Sequence, residues 1–239
     1  MPEIAGVYNT KKVRKLGKDG ATTRDFTQVI SWFVIRLDDD RYLTMPLNDE
    51  HLPSGITSVV DAADFVREYS PDPGFYTEHI LPLVTSLRER IGDGSLPFDP
   101  ETLDVREQRL FASLQIDGFL ETAPDGVYGT SLALLRESAA DREGFAVAAA
   151  SRINSEGVQL RKNRDFERSL EFYAKALELR PEDDHLFFNL ARVHYEKGDV
   201  PQCLELLDRA LKLNPELEAA RKMKRFIGGK IAGKEGPNP

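Results

Sequence analysis

At 239 residues, with 41% hydrophobic and 30% charged positions, the chain has ordinary globular composition and is long enough for two small domains. A formal net charge of −8 argues against a general nucleic-acid binder, which needs net or locally dense positive charge, and a single cysteine, Cys203, excludes an intrachain disulfide or a Cys-built metal cluster. No apolar run reaches the roughly 18–20 residues that span a bilayer, and the N-terminus lacks a basic-then-apolar leader, so a cytoplasmic protein is expected.

The first 25 residues are polar, with a basic cluster at Lys11, Lys12, Arg14, Lys15 and Lys18, and read as loop or a short edge strand. Phe26 to Leu37 is rich in β-branched and aromatic residues, Asp38-Asp39-Asp40 interrupts it, and Arg41 to Met45 resumes with alternation, which predicts a hairpin. Pro53-Ser54-Gly55 marks a turn. Helical spacing begins near Val59, with Asp61 or Ser58 as cap, and a second helix is predicted from Phe75 to Ile91 with a bend at Pro82. The helices must cover the hairpin's apolar face, because a lone hairpin is marginal in water.

Pro97 and Pro100 suggest a boundary, beyond which nearly everything is helical: Leu103 to Ile116, Ser131 to Ala140, and Asp141 to Lys162 as one helix or two. The organisation expected is a small α+β domain at 1–96, a helical connector at 97–149, a repeat region at 150–227 and a disordered tail at 228–239. The charge follows this division, with 15 Lys/Arg against 25 Asp/Glu in residues 1–149 and 17 against 15 thereafter.

The last third repeats itself. Pro181 and Pro215 lie 34 residues apart, and at the same spacing Leu170-Glu171 recurs as Leu204-Glu205, Ala176-Leu177 as Ala210-Leu211, Leu179 as Leu213 and Asp165 as Asp199. Each unit reads helix, turn, helix: Arg152–Lys162 with Phe166–Leu179, then His185–Lys197 with Val200–Leu213. Small residues (Gly157, Ala191, Ser169, Cys203, Ala176, Ala210) fall where helices must cross closely, and Ile153, Phe187, Tyr173 and Leu207 fill between them.

This pattern resembles a pair of tetratricopeptide repeats, followed by a helix whose Leu217, Ala220, Met223 and Ile227 share one face and close the stack. The fold class expected is therefore an α+β N-terminal module followed by an all-α tetratricopeptide-type superhelix. Arg164 departs from the family pattern by standing where a left-handed glycine is usual. Gly126-Val127-Tyr128 and Ser131 resemble part of a degenerate preceding repeat, although the spacing there is 38. The stretch from Pro46 to Gly55 resembles the lead-in module of some bacterial repeat proteins.

The resemblance implies a non-catalytic adaptor whose first helices line a groove for a peptide or partner segment. Carried over, the groove positions are Ser151, Asn154, Val158 and Arg161 on the first repeat and His185, Phe188, Arg192 and Tyr195 on the second, with Asn189 beside them. Each set steps by 3 or 4 and so shares a face. Arg161, Arg192 and Lys222 make an acidic peptide or a terminal carboxylate the expected guest, unless these charges form only a solvated face. Phe188 and Tyr195 read either as interface anchors or as residues packed against the preceding domain. The chaperone-tail clamp of some family members needs a lysine and an asparagine where this chain has Asn154 and Val158, which counts against that activity.

Other signals are weaker. His51, His79, His185 and His194 form no HExxH pair or nucleophile motif, and His194 and Cys203 occupy packing positions. Gly17 to Thr23 lacks phosphate-loop spacing, and Asp38 to Asp40 reads as a soluble hairpin tip rather than a cation site. No cofactor, metal, nucleic acid or membrane is expected as partner. The alternative function is a winged-helix-like nucleic-acid-binding or regulatory module in residues 103–130, whose surroundings carry four arginines and no lysine across 100–142.

Overall fold

A computed structural model describes residues 2–16, 24–92, 98–139 and 141–234, in two compact units, Met1–Ala149 and Ala150–Pro239. The Gly17 to Thr23 stretch weighed as a phosphate loop lies outside the described residues, as do Pro97 at the proposed boundary and the last five residues.

The first unit is built on a five-stranded antiparallel sheet of order β4-β3-β2-β1-β5, from β1 (Glu3–Leu16), β2 (Arg24–Arg36), β3 (Arg41–Pro46), β4 (Ser58–Asp61) and β5 (Ser70–Pro71). The expected hairpin is β2–β3. The N-terminal residues read as loop or a short edge strand are instead a long strand inside the sheet order, which pairs with β2 from Glu3↔Arg36 to Leu16↔Arg24, with an irregularity at Gly6, whose φ of 114° suits only glycine. Val59, read as the start of a helix, lies in edge strand β4, and the helix proper, α1 (Ala62–Glu68), begins after Asp61, whose carboxylate accepts the Asp64 amide.

Consecutive residues Phe33, Val34 and Ile35 of β2 are all buried, so both faces of the central strand are covered and it reads as an unbroken apolar run. On one face Tyr42 stacks on Phe65 at 3.9 Å, and Phe65 meets Tyr8 edge-on at 4.8 Å. Such pairs contribute about 0.5–1.5 kcal/mol each beyond their burial. Two acids of the Asp38–Asp40 turn are engaged by arginines: Arg41 binds Asp38, and Arg36 pairs with Asp39.

The helix expected over Phe75 to Ile91 is a composite of α2 (Pro73–Phe75), a π turn at Tyr76–Ile80, and α3 (Leu81–Ile91), which buries Leu81, Val84, Leu87 and Ile91. Pro82 has no amide to give to an α ladder, and it falls in the first turn of α3, where that loss is harmless. Helix α4 (Val105–Ser113) begins with a capping box between Asp104 and Glu107. Glu107 is buried because its oxygens accept from Ser86 Oγ (2.6 Å), Arg90 Nε (3.0 Å) and the Asp104 amide (3.0 Å).

Helix α5 (Gly129–Glu137) packs on α3 and β1, and thus into the first unit. The winged-helix alternative required a wing between α4 and α5. Among the described residues of 103–130 no strand forms; the chain turns at Asp117–Phe119, and Thr130 hydrogen-bonds Asp117 to close the segment. A Cβ at Gly129 would collide with the Pro124 carbonyl oxygen, so the loop folds tightly back on itself instead of extending.

The boundary between the units falls within α6 (Arg142–Lys162), a single helix. The second unit continues with α7 (Phe166–Leu179), α8 (Asp184–Lys197), α9 (Val200–Leu213) and α10 (Glu218–Lys234). Asp165 and Asp199 cap α7 and α9 with the same backbone, φ −84° and ψ 75°, which is the 34-residue repeat expressed as geometry. Both turns enter the left-handed region just before the cap: Gly198 at φ 84° and Arg164 at φ 64°. The core of the second repeat joins Phe187, Ala191, Cys203, Leu206, Leu207 and Ala210 to Leu217, Ala220 and Ile227 of α10. That helix runs to Lys234, past the end at Ile227 that the sequence suggested. Among the described residues no helix is long and apolar enough to cross a membrane.

Candidate functional site

The first helices of the repeats, α6 and α8, and the final helix α10 lie side by side, each tied to the next by side chains. Asn189 Nδ2 donates to Asn154 Oδ1 at 2.7 Å, and Arg161 pairs with Glu196 across the same two helices. Between α8 and α10, Tyr195 and Phe226 meet edge-on at 6.3 Å, and Lys230 Nζ reaches the Tyr195 hydroxyl at 3.3 Å and lies 4.6 Å from the centre of the Phe226 ring. The side chains between these helices form the candidate site.

The structure sorts the expected residues into two sets. Asn154, Val158, Phe188, Arg192 and Tyr195 are half-buried, while His185 and Lys222 are exposed. Arg192 lies 5.8 Å from the centre of the Phe188 ring and, among the described residues, has no ion-pair partner. Lys222 is held by Glu218 at 2.8 Å, one turn back on its own helix, and His185 Nδ1 contacts Asp184 at 2.8 Å. Phe226, exposed on α10, belongs to this surface and was not among the expected residues.

Arg161 is the clear correction. Expected as an open groove cation, it is 7% exposed and paired with Glu196, which leaves little of its charge for a guest. Its Nε finds no hydrogen-bond partner, and neither does the buried Tyr173 hydroxyl near it. Ser169 Oγ, the other neighbour of that hydroxyl, gives its hydrogen to the Gly157 carbonyl at 2.9 Å. Burial pushes the Tyr173 phenol above its ordinary range, which the nearby Arg161 charge only partly opposes. Asn189 is also largely buried, and its amide is engaged by Asn154.

The remaining candidates serve the fold. Cys203 is fully buried, and burial, helped by Asp199, pushes its thiol up to about 11. His194 is mostly buried, with Nδ1 3.1 Å from Asp199 Oδ2. Asp183, Asp184 and His185 lie close enough together to suggest a cation site, but Asp183 caps α8 through the His185 and Leu186 amides, and Asp184 accepts from Asn214 Nδ2 at 2.7 Å. Burial works to raise the Asp184 pKa, yet the bonds from Asn214 and His185 together hold it below the usual carboxylate range.

In the first unit a cavity of about 580 Å³ is lined by residues that include Met45, Asn48, Arg109, Ser113 and Phe119. Arg109 is paired with Glu50, and Ser113 Oγ donates to the Arg109 carbonyl. Among the described residues that line it, none is a carboxylate, histidine or cysteine.

Residues 160–225, just over a quarter of the chain, match the family model described as tetratricopeptide repeat, and the paired C-terminal helices are repeats of that type. The chain is also similar to an Hsp70-Hsp90 organizing protein of Triticum aestivum, 40% identical over 76 residues, 32% of this chain and 13% of that protein. A second relative, Hsp70-Hsp90 organizing protein 3 of Arabidopsis thaliana, is 38% identical over 74 residues, 31% of this chain and 13% of the relative. The chain therefore spans about an eighth of the length of these curated relatives.

Proposed function

We propose that this chain is a non-catalytic adaptor that holds a peptide or an extended segment of another protein against the α6–α8–α10 face. The observation that carries the reading is the grouping on that face of half-buried Phe188 and Tyr195, exposed Phe226, and the cation of Arg192, which no carboxylate neutralises among the described residues. Aromatic side chains and arginine dominate binding energy at protein interfaces when a partner completes their desolvation. The repeat match and the similarity to organizing proteins support the same class of function.

The charge of the face favours an acidic guest. Arg192 supplies the cation, because Glu196 already neutralises Arg161 and Glu218 holds Lys222. The guest's apolar side chains would cover Phe188 and Tyr195, while Asn154 and Asn189, locked to each other, present a fixed amide edge to its backbone.

The test is capture from a native lysate with the whole chain as bait, comparing wild type with an Arg192→Ala/Tyr195→Ala variant of matched thermal stability. A protein recovered by wild type and lost by the variant supports the face as the binding site. Equal recovery of every partner by both baits overturns it.

A further inference from the structure

Beyond residue 10 the β1–β2 pair leaves the rest of the sheet. Strand β3 pairs with β2 only over Trp32–Arg36, and β5 pairs with β1 only at Tyr8 and Asn9. From Lys11↔Val29 to Leu16↔Arg24 the two strands, among the described residues, pair with each other alone, as a two-stranded ribbon. Its twelve paired positions hold Lys11, Lys12, Arg14, Lys15 and Arg24 against a single acid, Asp25. The other residues of 1–149 carry 10 Lys/Arg against 24 Asp/Glu, so the ribbon is a basic arm on an acidic body.

We propose that this arm lies in a groove of duplex nucleic acid. Lys11 and Lys12 are neighbours on one strand and so face opposite sides of the ribbon, and both are exposed, as are Thr27 and Val29 across the ladder. Solvent therefore reaches both faces. A flat acidic protein surface would engage one face and leave the other's cation idle. A major groove about 12 Å wide admits a two-stranded ribbon and flanks it with phosphate strands on both sides.

The whole-chain charge of −8 does not describe the field here. At about 3.4 Å per residue, Leu16 lies roughly 27 Å along the strand from the Tyr8–Pro71 pair where the ribbon leaves the sheet. That is more than three Debye lengths at physiological salt, about 8 Å each, so the acidic body is largely screened from the outer ribbon. With roughly three to five phosphate contacts, affinity would fall about 40- to 500-fold between 50 and 200 mM salt.

The experiment is fluorescence anisotropy of a labelled random-sequence DNA duplex titrated with the whole chain at both salts. Three proteins are compared: wild type, Lys11→Glu/Lys12→Glu, and the charge-matched control Lys212→Glu/Arg225→Glu on exposed helix positions. The expected result is salt-sensitive binding by wild type and control, at least tenfold weaker in the arm variant, and not displaced by polyglutamate at equal charge concentration. Should the arm variant fail to fold, Lys11→Gln/Lys12→Gln reads the same loss without like-charge repulsion. Lack of duplex binding at the lower salt overturns the proposal, and so does equal binding by folded arm variants. Displacement by polyglutamate also overturns it, and would assign the arm to an acidic protein instead.

Discussion

Replacing Arg164 by glycine should stabilise the repeats. Arg164 holds φ at 64°, in the turn where the second repeat has Gly198 at 84°, and its side chain is exposed. A side chain in the left-handed region costs roughly 1–2 kcal/mol, and glycine removes that strain. Glycine also loses more backbone freedom on folding, by roughly 0.5–1 kcal/mol, which offsets part of the gain. The balance is a stabilisation of about 0.5–1 kcal/mol, which for a unit near 90 residues raises the midpoint by roughly 2–8 °C. The reverse change, Gly198→Arg, should lower it by a comparable amount. Thermal unfolding of the whole chain followed by far-UV circular dichroism reads both. An Arg164→Gly protein no more stable than wild type would refute the reasoning, since it would mean that the turn carries no strain for glycine to release.

Two other positions make sharper statements about packing. A Cβ on Gly157 would lie 2.8 Å from Tyr173 Cε1, and Tyr173 is fully buried; overpacking of roughly 1–3 kcal/mol should therefore outweigh the ~1 kcal/mol that alanine gains in helix propensity, and Gly157→Ala should lower the urea midpoint. Cys203, with its thiol pushed up to about 11, should be almost wholly un-ionised at pH 8 and react with a disulfide reagent only as the chain unfolds. Stoichiometric labelling of the native protein within seconds would contradict the buried placement.

The repeats were legible in the sequence because identical residues at a 34-residue spacing leave little freedom: Asp165 and Asp199 specify the same cap, and Gly157 and Ala191 the same close crossing. The candidate face was legible only in its backbone register. Arg161 and Tyr195 hold equivalent positions in the two repeats, but what becomes of the arginine depends on Glu196, 35 residues later and on another helix. No local pattern announces such a pairing. Phe226 was missed for a related reason, since the residues around it are charged and its exposure is set by how α10 lies against Tyr195.

The first unit was harder to read because its longest strand does not alternate. Ala5, Val7, Tyr8 and Thr10 are buried at the inner end of β1, whereas Lys11 and Lys12 face water, so one strand obeys two different rules along its length. A period-two search sees neither half clearly. Strand β4 fails differently: its exposed, edge-strand pattern matches the beginning of a helix as well as it matches a strand.

The π turn at Tyr76–Ile80 is where the helical run accommodates a one-residue excess. One extra residue is taken up there before α3 begins, and each residue of a helix turns the next by about 100°. Deleting one residue from the turn should restore a plain α-helix and leave Leu81, Val84, Leu87 and Ile91 in the phase they now hold, whereas the same deletion inside α3 would swing every later side chain by about 100°. The seam is thus a phase buffer. A one-residue change in length can be absorbed within it, but the same change inside α3 must be answered by rebuilding the buried face that follows.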